Sequence, residues 1–113
     1  MTVITLPWPP KALSSNGAHG HWRTKSAATK AYRLAAWAAA LELPTMRTAA
    51  LVFTYHPPDR RRRDVANMAF PMKSAIDGIA DAMGCDDHGF RPRFPDAFAE
   101  VRKDGAVLVE VTP

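Results

Sequence analysis

The stretch Leu51–Gly84, LVFTYHPPDRRRRDVANMAFPMKSAIDGIADAMG, changes its periodicity once, and that change decides the fold class. Leu51, Phe53 and Tyr55 alternate with Val52 and Thr54, the pattern of a half-buried strand. Pro57-Pro58 stops it, because proline cannot donate to a sheet ladder. After a charged segment, Met68, Met72, Ile76, Ile79 and Met83 share one stripe at helical spacing, which predicts an amphipathic helix ending at Gly84. Pro71 lacks an amide hydrogen and is expected to delay the regular part of that helix.

Outward from this stretch the pattern continues. Val3 to Leu6 reads as a short strand stopped by Pro7, Pro9 and Pro10, and a loop runs from Lys11 to about His21. From Thr24 to Leu43 the chain is alanine-rich, with Leu34, Trp37 and Leu41 at three- and four-residue spacing, a helix stopped by Pro44. Lys25, Lys30 and Arg33 decorate its first half. Near the end, Ala99 to Lys103 and Ala106 to Val111 flank Asp104-Gly105, a pair suited to a two-residue hairpin turn. The expectation is one α+β domain over residues 1–113, a small mixed or antiparallel sheet covered by two main helices.

Composition narrows the function classes. A net charge of +4 favours a polyanionic partner, since Lys and Arg release counterions when they neutralise phosphates. With Cys85 as the single cysteine, neither an intramolecular disulfide nor a cysteine-based zinc site can form, and a reducing cytoplasm is expected. The start MTVITLPWPP has no basic flank before a long apolar stretch, and the greasiest run, Leu34 to Leu41, is too short to span a bilayer. No membrane association is expected.

The chemistry concentrates between Asp59 and Asp87. Arg60, Arg61, Arg62 and Arg63 follow a strand, so an extended course would point their guanidinium groups alternately to two sides and bring two of them to one phosphate backbone. The same run also suits a solvated loop that protects a sheet edge. Asp64 follows at once. A carboxylate beside a phosphate-binding strip is what a metal-assisted nuclease requires, because carboxylates repel phosphates unless a cation bridges them. Lys73, Asp77 and Asp81 are spaced by four and share a helix face apart from the Met and Ile stripe, which equally suits simple ion pairing. Asp86-Asp87 comes just past the helix, where the chain can turn back. Farther on, Phe90-Arg-Pro-Arg-Phe94 reads either as a nucleic-acid contact strip or as a proline-braced loop with both rings in the core. His19 and His21 lie on the Gly-rich loop, without the third ligand that a metal site needs.

Taken together, these features resemble the RusA family of Holliday junction resolvases, small phage and prophage endonucleases that cut four-way DNA junctions. The resemblance covers the opening Leu6-Pro7-Trp8-Pro9-Pro10 with Ser15-Asn16, the basic helix, and above all Asp59-Arg-Arg-Arg-Arg-Asp64 leading to Asn67. Asp64, Asn67, Lys73, Asp77, Gly84 and Asp86-Asp87 fall into the places of the family's central signature, and Pro71 fits a longer phage variant. The resemblance implies a RusA-like fold, a homodimer, four-way junction DNA as partner, and magnesium, with manganese as an alternative. It implies Asp64, Asp86 and Asp87 as metal ligands, Lys73 stabilising charge on the phosphate, and Asn67 orienting the site. Asn16 and Lys25 join the arginines as expected DNA contacts, and the implied setting is recombination and repair in the cytoplasm of a bacterial or phage-infected cell. One position departs: Ala66 stands where the signature has its second aspartate. A water filling that coordination place brings no negative charge, so weak or absent cleavage with retained junction binding is the alternative expectation.

Overall fold

The computed structural model describes residues 2–13 and 22–113. Strand β1 (Thr2–Leu6) is followed by a 3-10 turn at Lys11–Leu13 and by helix α1 (Trp22–Ala40). Strand β2 (Ala49–His56) leads through the arginine segment and a 3-10 turn at Val65–Met68 into helix α2 (Ala69–Met83). A 3-10 turn at Asp87–Gly89 precedes β3 (Phe90–Arg93), and β4 (Ala106–Thr112) closes the fold. The expected α+β class holds, with a mixed sheet.

The sheet order is β1-β4-β2-β3. Strand β4 pairs antiparallel with both β1 and β2, whereas β2 and β3 run parallel because α2, not a tight turn, connects them. The register aligns Leu6, Val107 and Tyr55 across the sheet, and Ile4, Val109 and Phe53 beside them, all buried. Period-two alternation puts these residues on one face, where they form a single core with Met72, Ile76 and Ile79 of α2 and Ala36 and Ala40 of α1.

Three expectations need correction. The expected first arm of the terminal hairpin is not a strand. Its Ala99 N–H donates to the Tyr55 carbonyl at 2.8 Å and its Arg102 N–H to that of Pro57 at 3.0 Å, so the segment follows the end of β2 and leaves β4 free to pair on both sides. The turn is centred one residue earlier, with Gly105 N–H donating to the Arg102 carbonyl at 2.8 Å. Gly105 has φ +71°, and a side chain there would meet Trp8 Cβ at 2.8 Å.

Helix α1 also ends earlier than expected, and its inward face is not the Leu34, Trp37, Leu41 stripe. Tyr32, Ala36 and Ala40 are buried, while Leu34 and Leu41 are 62% and 52% exposed. The Tyr32 hydroxyl donates to the Pro7 carbonyl at 2.8 Å, which fastens α1 to the end of β1. Burial raises the Tyr32 pKa well above its ordinary value.

Third, residues Phe90–Arg93 are a strand and not a loop, Arg91 and Arg93 are exposed on it, and Phe94 just beyond it is exposed and not in the core. Phe90 of this edge strand β3 is buried, and Phe94 lies 5.1 Å from the Phe53 ring. Pro71 sits in the first turn of α2, where its missing N–H is harmless, and the 3-10 turn ahead of it takes up the expected delay.

Candidate nucleic-acid interface and acidic site

The arginine segment is ordered by its flanking aspartates. Asp59 accepts from the Arg61 N–H at 2.9 Å, folding the chain back on itself. Arg63 closes the loop: its Nη1 lies 2.9 Å from Asp59 Oδ1 and donates to the carbonyls of Asp59 and Arg61 at 3.1 and 3.2 Å. Its guanidinium carbon is 5.6 Å from the centre of the Trp8 ring. This pairing, with the Arg61 amide, holds the Asp59 carboxyl below the usual range. The four arginines are therefore not equivalent. The segment is not a strand, its side chains do not alternate as expected, and Arg63 is turned inward while Arg60, Arg61 and Arg62 are exposed.

Asp64 caps the next turn by accepting from the Ala66 N–H at 3.0 Å, and the Asn67 N–H donates to the Asp64 carbonyl at 3.1 Å. Both side chains line a groove of about 870 Å³ together with Lys11, Arg61, Arg62 and Arg63. Trp8, Pro9, Met68 and Phe98 supply its apolar surface, and Asp96 lies on its border. Arg60 stays outside this lining.

Lys73 and Asp87 lie in a second depression of about 390 Å³, bordered also by Ala69, Ile76, His88 and Phe94. Lys73 Nζ donates to Asp77 Oδ1 at 3.0 Å and to a carboxylate oxygen of Asp87. The second contact depends on Gly84, whose left-handed φ of +67° ends α2 and turns the chain back toward Lys73. Asp86 caps the following 3-10 turn, accepting from the His88 N–H at 3.4 Å. Lys73 lowers the Asp87 pKa, and Asp87, with Asp77, raises that of Lys73, so both charges are held at neutral pH. Pro71 faces the groove while Ala69 and Lys73 face the depression, as their separation around a helix requires, so the two concavities flank the first turn of α2.

The structure thus brings Asp64 and Asn67 to the arginines, and Lys73 to Asp87. It does not gather Asp64, Asp86 and Asp87: among the described residues, no group of three or more His, Cys, Asp or Glu side chains is placed to hold a metal ion. The oxygen donors are of the right kind for magnesium or manganese, and an ion that keeps most of its waters uses only one or two carboxylates. Lys25 has its Nζ 4.3 Å from the centre of the Phe70 ring, near the start of α2. Asn16, His19 and His21 lie outside the described residues.

Some pairings and neighbours were not foreseen from the sequence. Asp81 does not join Lys73 and Asp77. It forms a two-pronged pair with Arg33 of α1, Nε to Oδ2 at 2.6 Å and Nη2 to Oδ1 at 2.9 Å, which lowers the Asp81 pKa and raises that of Arg33. Phe98 and Asp96 enter the groove from a segment with no periodicity to mark it. His56 is buried at the end of β2, its Nδ1 2.9 Å from the Glu100 carbonyl. Its neighbours Pro57 and Pro58 mark only a strand end.

No protein-family model matches this chain. An uncharacterized protein of Xylella fastidiosa (strain Temecula1 / ATCC 700964) is 39% identical over 122 residues, covering 99% of this chain and 76% of the relative. The chain belongs to the family of that protein. Among the described residues no helix is long and apolar enough to cross a membrane.

Proposed function

We propose that this protein is a RusA-type Holliday junction resolvase, a homodimeric, magnesium-dependent endonuclease that hydrolyses phosphodiester bonds in four-way DNA junctions during phage or prophage recombination and repair in the bacterial cytoplasm. The observation that carries the reading is the pair of concavities around the first turn of α2: Asp64 and Asn67 beside the arginines on one side, Lys73 held by Asp87 on the other.

In this reading Arg60, Arg61 and Arg62 meet the phosphate backbone, and Arg63 shapes the loop that presents them. Lys73 is kept protonated by its two carboxylates and stabilises negative charge gained by the scissile phosphate. Asp87 is kept ionised by Lys73, and Asn67 orients the turn that carries Asp64. Asp87 with its neighbour Asp86, or Asp64 on the other side of the first turn of α2, would hold a hydrated magnesium or manganese ion, which when bound would supply an activated water and positive charge at the phosphate. A two-fold dimer provides the second site needed for symmetric cuts.

A second reading, a junction-binding protein with little or no cleavage, is favoured by Ala66, which puts a methyl group where the family signature has an aspartate. One assay separates the two. The wild type and Ala66→Asp are incubated with labelled four-way junction or linear duplex in magnesium. The resolvase reading expects tighter binding to the junction, slow cutting by wild type and faster cutting by Ala66→Asp. A junction shifted but uncut by both proteins leaves only the binder, and equal affinity for the linear duplex removes both readings.

A further inference from the structure

The groove beside the arginine loop has two surfaces of opposite character. Its floor is aromatic and apolar, with Trp8 and Phe98 tilted against each other at 6.2 Å between ring centres and Met68 alongside. Its rim is charged but not uniformly so. Asp59 and Arg63 satisfy one another, and the other charged side chains of the lining are Lys11, Arg61 and Arg62 with Asp64 and Asp96. A phosphate backbone running the length of the groove would meet those carboxylates at close range. A flat apolar group carrying a single phosphate would not.

Duplex DNA cannot offer such a group, because its bases are paired and stacked inside the helix. An unpaired base can, and aromatic side chains bind bases by stacking whatever their identity. The volume of about 870 Å³ lies within the range of small-ligand clefts. The side-chain amide of Asn67, a lining residue, carries both a donor and an acceptor that a base edge could use. The Arg63 guanidinium, 5.6 Å from the Trp8 ring centre, braces that ring from its own side.

We infer that this groove takes one unpaired nucleotide, its base on the Trp8 and Phe98 floor and its phosphate on Arg61 and Arg62. Resting on the DNA reading above, this gives the protein a way to sense a branch point: bases at the strand exchange unstack at lower cost than bases within an arm. Trp8 and Phe98 are binding residues in this assignment, and Arg63 positions both the loop and the ring.

The test uses the intact protein in metal-free buffer and four-way junctions that each carry one abasic site. Removing the base at the captured position is expected to weaken binding roughly tenfold, while abasic sites well inside an arm change nothing. In parallel, Trp22→Phe and Trp37→Phe leave Trp8 as the only tryptophan, and a short single-stranded thymidine oligonucleotide is expected to quench it saturably, in competition with junction DNA. Equal affinity for every abasic junction, or an unquenched Trp8, overturns the assignment while leaving junction binding intact. If the protein binds junctions no better than linear duplex, the function proposed above fails, and Trp8 quenching alone decides the groove: saturable quenching supports it and none overturns it.

Discussion

Helices α1 and α2 pack against each other over one face of the sheet, yet their large apolar residues have opposite destinations. On α2, Met72, Ile76, Ile79 and Met83 are buried, as their spacing predicts. On α1, Leu34 and Trp37, with Leu41 just past its end, are exposed, and Tyr32, Ala36 and Ala40 form the inner face. The reason lies at the crossing. A Cβ on Gly78 would fall 2.2 Å from the Arg33 carbonyl oxygen and 2.8 Å from Ala36 Cβ, so the two backbones approach too closely for a large side chain between them. Spacing identifies a helix and its stripes; the distance to the neighbouring helix selects which stripe turns inward.

The largest effect is expected at that contact. Gly78→Leu should force the helices apart and cost about 3 kcal/mol or more in urea-induced unfolding. A loss within about 0.5 kcal/mol, the range of an ordinary surface change, would mean that the close crossing is wrong. The next largest effect is a contrast between stripes. Ile79→Ala, at a fully buried position, should cost about 2–5 kcal/mol, whereas Leu34→Ala should stay within about 0.5 kcal/mol. Comparable losses at the two positions would place the α1 stripe in a buried interface.

The smallest effect concerns the bridge between the helices. The Asp81 side chain is 42% exposed, so solvent screening keeps its pair with Arg33 to about 1 kcal/mol or less. Arg33 lowers the Asp81 pKa in the folded state, so this contribution is present above the unfolded carboxyl pKa near ~3.9 and is lost as pH falls through the lower folded value. The wild type should exceed Asp81→Asn slightly at pH 7, and the two stability curves should converge toward acid. A difference that persists undiminished at pH 2 would show that the substitution acts through packing.

Much of the fold was legible because its signals are local. Alternation over Leu51 to Tyr55 and the stripe from Met68 to Met83 each report one element with one buried face. The terminal hairpin misled because Asp104-Gly105 marks a turn, but a turn does not select partners. Segment 99–103 is held by the end of β2, and β4 is taken by β1 and β2. The site divides in the same way. Lys73 and Asp77 met as their spacing predicts, since both stand on one helix. Asp81, four residues farther, was claimed by Arg33, a cation 48 residues away that no spacing rule connects to it. The arginine run read as an extended strip with side chains alternating to two sides, and the fold turned Arg63 into a brace between Asp59 and Trp8.

By itself the sequence determined the α+β class, the helix and strand stripes, the turn at Gly84, and the concentration of cations and carboxylates between Asp59 and Asp87. These depend on residues a few positions apart, where backbone geometry alone fixes who can meet. Only the tertiary structure decided which stripe of α1 is buried, which arginine braces the loop, and that Asp64 and Lys73 open into separate concavities. Those outcomes depend on how closely two elements approach, and contacts distant along the chain set that distance.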